Sequence, residues 1–225
     1  QYTNSVLFGE QKYICVSRPR RFGKSMAANM LTAYYSRGCN SRELFQGLKI
    51  ATHPDFEKHL NQYNVIHLNM RDYLTESENI QQLIQFIEED LLDELQQEFS
   101  DLRMPRRKTL VKVLEQAFAQ YKIPFVFIID EWDCVIRNSH DQALVHKYLQ
   151  FLHSLFKSEE SKSFLALGYI TGILPIKKIK DESALNNFQE YTMLDSYPIT
   201  EYYGFTEKEV KDLCKDYSMD FETVK

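Results

Sequence analysis

Little in this sequence could build a disulfide framework or a structural zinc site. Its four cysteines (Cys15, Cys39, Cys134 and Cys214) lie far apart and form no Cys-x-x-Cys pair, so reduced, cytosolic thiols without zinc are expected. No apolar run approaches the roughly 18 residues that a membrane-spanning helix needs. The N-terminus is not a signal peptide, and together these features point to a cytoplasmic protein with no membrane contact. An excess of positive charge is missing as well: 27 Lys and Arg stand against 32 Asp and Glu, for a formal net charge of −5. No global basic field recommends nucleic acid as a partner. Internal repeats, coiled-coil heptads and low-complexity linkers are not found. The sequence starts without methionine, close to its first strand-like run, and reads as an internal fragment.

What is present is a globular composition. The 225 residues are 44% hydrophobic and 26% charged, with 14 Tyr and 15 Phe, enough for one sizeable core.

The chain is organised around Lys12–Ser25. A short apolar run (Tyr13, Ile14, Cys15, Val16) meets a basic turn, then Gly23-Lys24-Ser25, then a segment of helical spacing. Strand, loop and helix in that order are the setting of a phosphate-binding loop. Backbone N–H groups of the turn and of the helix N-terminus would face the phosphates. Lys24 would reach the β/γ oxygens, and the Ser25 hydroxyl would complete a Mg²⁺ shell. The match to the Walker A pattern G-x-x-x-x-G-K-[ST] is imperfect, because Arg18 stands where the first glycine belongs and Pro19 comes next. The turn must therefore be reached another way. Arg18, Arg20 and Arg21 could contact phosphate or hold the loop against a carboxylate, and spacing does not choose between these uses.

A second motif lies downstream. Phe125–Ile129 is a fully apolar run introduced by Pro124 and followed by Asp130 and Glu131. It reads as a buried strand ending in two carboxylates, which are costly there unless something positive is near. In a Walker B arrangement Asp130 serves the Mg²⁺ shell and Glu131 orients and deprotonates water. The bland alternative makes Asp130 a turn cap.

Between and beyond these motifs, Val65–Met70 reads as a strand, with Asn69 and Asp72 at its end as strand-end residues or faint phosphate-side candidates. His53 and His59 sit among charged residues and read as surface histidines. The segment 78–99 carries an apolar stripe of Ile80, Leu83, Ile84, Ile87, Leu91, Leu95 and Phe99, a helix that should cross a sheet face. Helices are also expected over 25–35 (Ala27, Met30, Leu31 and Tyr34 inward), 109–120 and 141–157. The basic patch Arg103, Arg106, Arg107 and Lys108 balances the acidic helix more readily than it binds a polynucleotide. Trp132 could pack beneath a nucleotide or close the core. Residues 163–170 form another apolar run ending at Thr171, which is either a phosphate sensor where a buried strand emerges or a turn cap. Residues 191–194 read as the last strand, 183–188 as a short helix or turn, and Thr206 with Glu209 as a capping box. The whole is a doubly wound, mostly parallel α/β sheet with helices on both faces.

The stretches Val16–Ser25, Ile129–Asp133, Tyr169–Pro175, Ser183–Asn186 and Gly204–Val210 resemble the bacterial predicted AAA-ATPase (AAA-ATPase-like) family over essentially the whole chain. That resemblance accommodates Arg18, since the family carries Arg-Pro-Arg-Arg where other P-loops have glycine. It implies a P-loop NTPase with strand order 5-1-4-3-2, akin to STAND-like and archaeal ATPases. It also implies a core over 1–196 and the start of a truncated helical lid over 197–225. By motif, residues Arg18, Pro19, Arg20, Arg21, Phe22, Gly23, Lys24 and Ser25 would bind ATP, Ser25 and Asp130 would hold Mg²⁺, Glu131 would activate water and Thr171 would act as sensor. The expected activity is slow ATP hydrolysis used as a switch or motor for a linked domain. The alternative is a nucleotide-binding or interaction module without turnover. Family members often carry a C-terminal PD-(D/E)XK nuclease-like domain, and self-association is a further expectation. Arg137 and the loop arginines are open as arginine-finger residues.

Overall fold

The most apolar run, Phe125–Asp130, becomes a strand in which all six residues are buried, as in a parallel sheet covered on both faces. The computed structural model describes residues 11–139, 141–179, 185–195, 199 and 202–224. Five strands form its centre: β1 (Tyr13–Ser17), β2 (Asn64–Asn69), β3 (Phe125–Asp130), β4 (Leu165–Gly172) and β5 (Gln189–Tyr191). They lie in the order β2-β3-β4-β1-β5 with every pairing parallel. Read from the other edge this is the expected 5-1-4-3-2 order of a P-loop NTPase.

Parallel neighbours require crossovers, and helices supply them. In chain order these are α1 (Lys24–Tyr35), α2 (Phe56–His59), α3 (Met70–Glu76), α4 (Ile80–Glu98), α5 (Leu110–Tyr121), α6 (Cys134–Asn138), α7 (Gln142–Phe156), α8 (Glu159–Phe164), α9 (Glu207–Asp216) and α10 (Phe221–Val224). Strand alternation divides the core between the two faces. Phe125, Phe127 and Ile129 of β3 pack with the stripe of α4 and with α5 and α7. Val126 and Ile128 of the same strand pack with Ile14, Val16 and the α1 residues Ala28, Tyr34 and Tyr35. Short polar side chains start the helices: Asn79 accepts from Gln82 N–H, Asp141 from the Ala143 and Leu144 N–H groups, and Thr206 and Glu209 close a capping box.

Several expectations shift. In α1 the sheet-facing positions are Ala28, Tyr34 and Tyr35, while Met30 is 44% exposed. The last strand is Gln189–Tyr191 rather than 191–194, because it pairs with Ile14–Val16 and leaves Met193 and Leu194 exposed. A helical turn, Glu159–Phe164, capped by Ser158, precedes β4. His59 is buried beneath Tyr63, whose hydroxyl lies 2.6 Å from its Nδ1, so it is not a surface residue. Asn69 caps α3 through Arg71 N–H at 3.1 Å, its strand-end reading. Residues 183 and 184, and the boundary expected at 196–197, lie outside the described residues. Among the described residues no helix is long and apolar enough to cross a membrane.

The α4 stripe should be the main contributor on its face. Replacing Leu83, fully buried, by alanine should cost about 2–5 kcal/mol in urea unfolding. Met26→Ala, on the exposed side of α1, should stay within about 0.5 kcal/mol.

Candidate functional site

Because β4 lies between β1 and β3, the segments leaving all three strands meet at one edge of the sheet. Asp130 ends β3 and is buried, and Thr171, with no exposure, stands beside it near the end of β4. The Thr171 hydroxyl donates to Asp130 Oδ1, and Glu131 N–H donates to the same oxygen at 2.9 Å. The threonine thus holds a carboxylate rather than capping a helix.

The basic loop starts where β1 stops. Arg18 N–H donates to Gly172 O at 3.0 Å, carrying the β1–β4 ladder one residue further. The Arg18 side chain then turns inward and is buried. Its guanidinium donates to Tyr191 O at 3.0 Å and Ser17 O at 3.2 Å, and lies 5.9 Å from the centre of the Tyr203 ring. Burial lowers its pKa, but an arginine stays charged throughout the accessible pH range. Arg18 therefore fastens the loop, through carbonyls and an aromatic ring rather than a carboxylate. Left-handed backbone falls instead at Arg21 (φ 69) and Gly23 (φ 78), so the turn is made without a glycine at 18. Pro19, Arg20 and Arg21 are exposed, and Phe22 is half-buried. The Phe22 ring packs so closely on Gly204 (φ +82) that a Cβ there would lie 3.0 Å from it.

Gly23 opens α1 without a side-chain cap, which leaves the first-turn N–H groups to other acceptors. Ser25 is exposed in that first turn. Lys24 is buried, and its ammonium donates to Pro19 O at 2.8 Å and Arg18 O at 3.0 Å. Burial lowers its pKa, against the opposing fields of Asp130, Glu131 and Asp133. The lysine and the carboxylates thus share one electrostatic neighbourhood.

Glu131 adopts φ 53, a left-handed conformation unusual for a residue with a Cβ. Its carboxylate is paired to Arg71 Nε at 2.9 Å, and an Arg137 nitrogen stands 3.7 Å from the same oxygen. Trp132 is fully buried in the core and accepts from Tyr148 through its carbonyl at 2.7 Å, so it closes the core. Arg71 and Asp133 adjoin Glu131 and the loop after β4, and the sequence reading gives neither a role. Arg71 is 60 residues from Glu131 and carries no local signal, whereas the repeated acid in Asp130-Glu131-Trp132-Asp133 is a visible one. Asp72 is exposed at the start of α3.

This arrangement brings an ammonium, first-turn helix N–H groups, a hydroxyl and two carboxylates to one edge of the sheet, a set suited to a polyphosphate. Among the described residues no group of three or more His, Cys, Asp or Glu could hold a metal ion. A hydroxyl and one carboxylate do fit a Mg²⁺ that takes its other ligands from phosphate and water.

Replacing Arg18 by alanine removes a buried cation with two carbonyl partners. It should lower stability by about 1.5–3 kcal/mol in urea titration, whereas Arg20→Ala, on the exposed side of the loop, should change it by less than about 0.5 kcal/mol.

A family model described as Predicted AAA-ATPase matches residues 2–180. No curated protein matches the sequence. With the strand order and the loop between β1 and α1, that match places the chain: it belongs to the AAA-ATPase-like family of P-loop NTPases.

Proposed function

We propose that this chain binds Mg·ATP and hydrolyses it slowly to ADP and phosphate, using the cycle as a conformational switch or motor for a linked domain. The observation that supports this best is the meeting of Lys24, Asp130, Glu131 and Thr171 at the carboxyl edge of a parallel sheet. Ligands of such sheets bind in the crevice beyond the strand ends.

The first-turn N–H groups of α1 and the Lys24 ammonium take the phosphate oxygens, with Lys24 exchanging the Arg18 and Pro19 carbonyls for them. Arg20 and Arg21 face solvent beside that path and add positive charge, while Pro19, Phe22 and Gly23 shape the loop. Ser25 and Asp130 hold Mg²⁺, which when bound neutralises charge on the phosphates. Glu131 takes a proton from a water as its oxygen bonds to the γ-phosphorus and the bond to the bridging oxygen of ADP breaks. Thr171 keeps Asp130 in place and senses the terminal phosphate. Residues 1–196 form the ATPase core in this reading, and 197–225 begin a helical lid. A C-terminal nuclease-like domain and self-association are the partners the family suggests.

A second reading, a module that holds ATP without turnover, is favoured by two contacts. Lys24 is folded onto its own loop, and Glu131 is gripped by Arg71. Both must rearrange before chemistry.

Calorimetric titration of Mg·ATP and Mg·GTP, with phosphate release on the same samples, separates these readings. Wild type should bind ATP, Lys24→Ala should lose at least about ten-fold in affinity, and Glu131→Gln should bind with turnover cut to a low residual background. Binding with no phosphate release above the Glu131→Gln background selects the second reading. A folded wild type that binds neither nucleotide overturns both.

A further inference from the structure

We infer that Asp133 and Arg137 are positioning residues for Glu131, tying it to the loop that leaves β4; the inference rests on Glu131 being the residue that activates water. The Asp133 carboxylate has no exposure to solvent. Its Oδ2 accepts from Arg137 Nε at 2.7 Å, Leu174 N–H at 2.8 Å and Ile173 N–H at 3.2 Å. A buried anion is tolerable only with such a set of donors. Room for it exists because residue 172 is glycine: a Cβ there would lie 2.6 Å from Asp133 Oδ1 and 2.8 Å from Trp132 Nε1.

Fixing Arg137 at Nε fixes the plane of its guanidinium. One terminal nitrogen is then buried, makes no hydrogen bond among the described residues, and stands 3.7 Å from Glu131 Oε2. Arg71 pairs with the same oxygen, but its side chain is 50% exposed. Of the two arginines that reach Glu131, Arg137 is the one paired to a buried carboxylate.

A purely local role would make Asp133 the cap of α6 and Arg137 its i+4 partner. The contacts argue against that. Asp133 caps no N–H of α6, and both of its backbone donors come from the loop after β4, 40 and 41 residues away. The connection therefore runs from Ile173 and Leu174 through Asp133 and Arg137 to Glu131. A shift of the loop after Thr171 is transmitted to the carboxylate that orients water.

The test places Asp133→Asn, Arg137→Gln and Arg137→Lys in wild type and in Glu131→Gln. Phosphate release, Mg·ATP titration and thermal melting are measured on each. Asp133→Asn and Arg137→Gln should lower kcat by about ten-fold or more, with Mg·ATP affinity within about three-fold of wild type. Arg137→Lys should recover part of the loss. In Glu131→Gln none of the three should reduce residual turnover further, because their effect passes through Glu131. A folded Arg137→Gln protein with wild-type kcat overturns the inference, as does a loss that adds in full to that of Glu131→Gln.

A wild type that releases no phosphate defeats the hydrolysis reading by itself. The tie is then decided by the ¹⁵N–¹Hε resonance of Arg137, assigned by its loss in Arg137→Lys. That signal should shift in Glu131→Gln and broaden in Asp133→Asn. No response to either substitution overturns the tie.

Discussion

Burying charge is the constraint on which this architecture turns. Among the described residues, every buried Arg, Lys, Asp and Glu (Arg18, Lys24, Asp130, Asp133 and Glu190) presents its charged group at one edge of the sheet. Elsewhere the interior is almost wholly apolar. Each of these groups would be expensive without partners, and the partners found are mostly backbone. Arg18 and Lys24 donate to loop and strand carbonyls, while Asp133 and Glu190 accept from N–H groups of residues 173, 174 and 176. The loop after β4 is thus held by two carboxylates, one beyond β3 and one on β5. Loops that would otherwise splay from the strand ends are drawn into one crevice.

The arginine that replaces a glycine shows how the compensation works. A glycine at position 18 would ease the turn and bury nothing. Arg18 instead reaches under the loop to β5 and to the Tyr203 ring, while Phe22 rests on Gly204. The phosphate-binding loop is consequently in contact with the segment leading into α9 at two points. Tyr203 is also hydrogen-bonded to Tyr169 of β4. These contacts are a physical route by which the proposed switch could act on that segment.

Much of the frame was legible because hydrophobic patterning speaks directly about burial. The β1, β2 and β3 runs, the stripe of α4 and the capping box at Thr206 are plain, and they place Lys24 just beyond the loop after β1 and Asp130 at the end of β3. Where the pattern misled, a long-range partner had overruled local preference. Gln189–Tyr191 is a strand because β1 offers a ladder and Ser17 and Ile176 donate to Glu190 Oε1, although Met193 and Leu194 are the more apolar residues. His59 is buried because Tyr63 meets its ring. In α1 Tyr34 is buried as its spacing predicts, but Ala28 and Tyr35 rather than Met30 join it in the core.

The sequence by itself determined the order of strands and helices, the phosphate loop, the pair of acids and the family to which they belong. The phosphate loop and the pair of acids are local statements, each contained in one short stretch of chain. Only the tertiary structure decided what surrounds the acids. Arg71 meets Glu131 across 60 residues, and Asp133 meets Leu174 across 41. The first depends on β2 lying beside β3, and the second on β4 lying beside β3. No spacing in the chain encodes them, because charge–charge and hydrogen-bond partners are chosen by distance in space, which the sheet order sets.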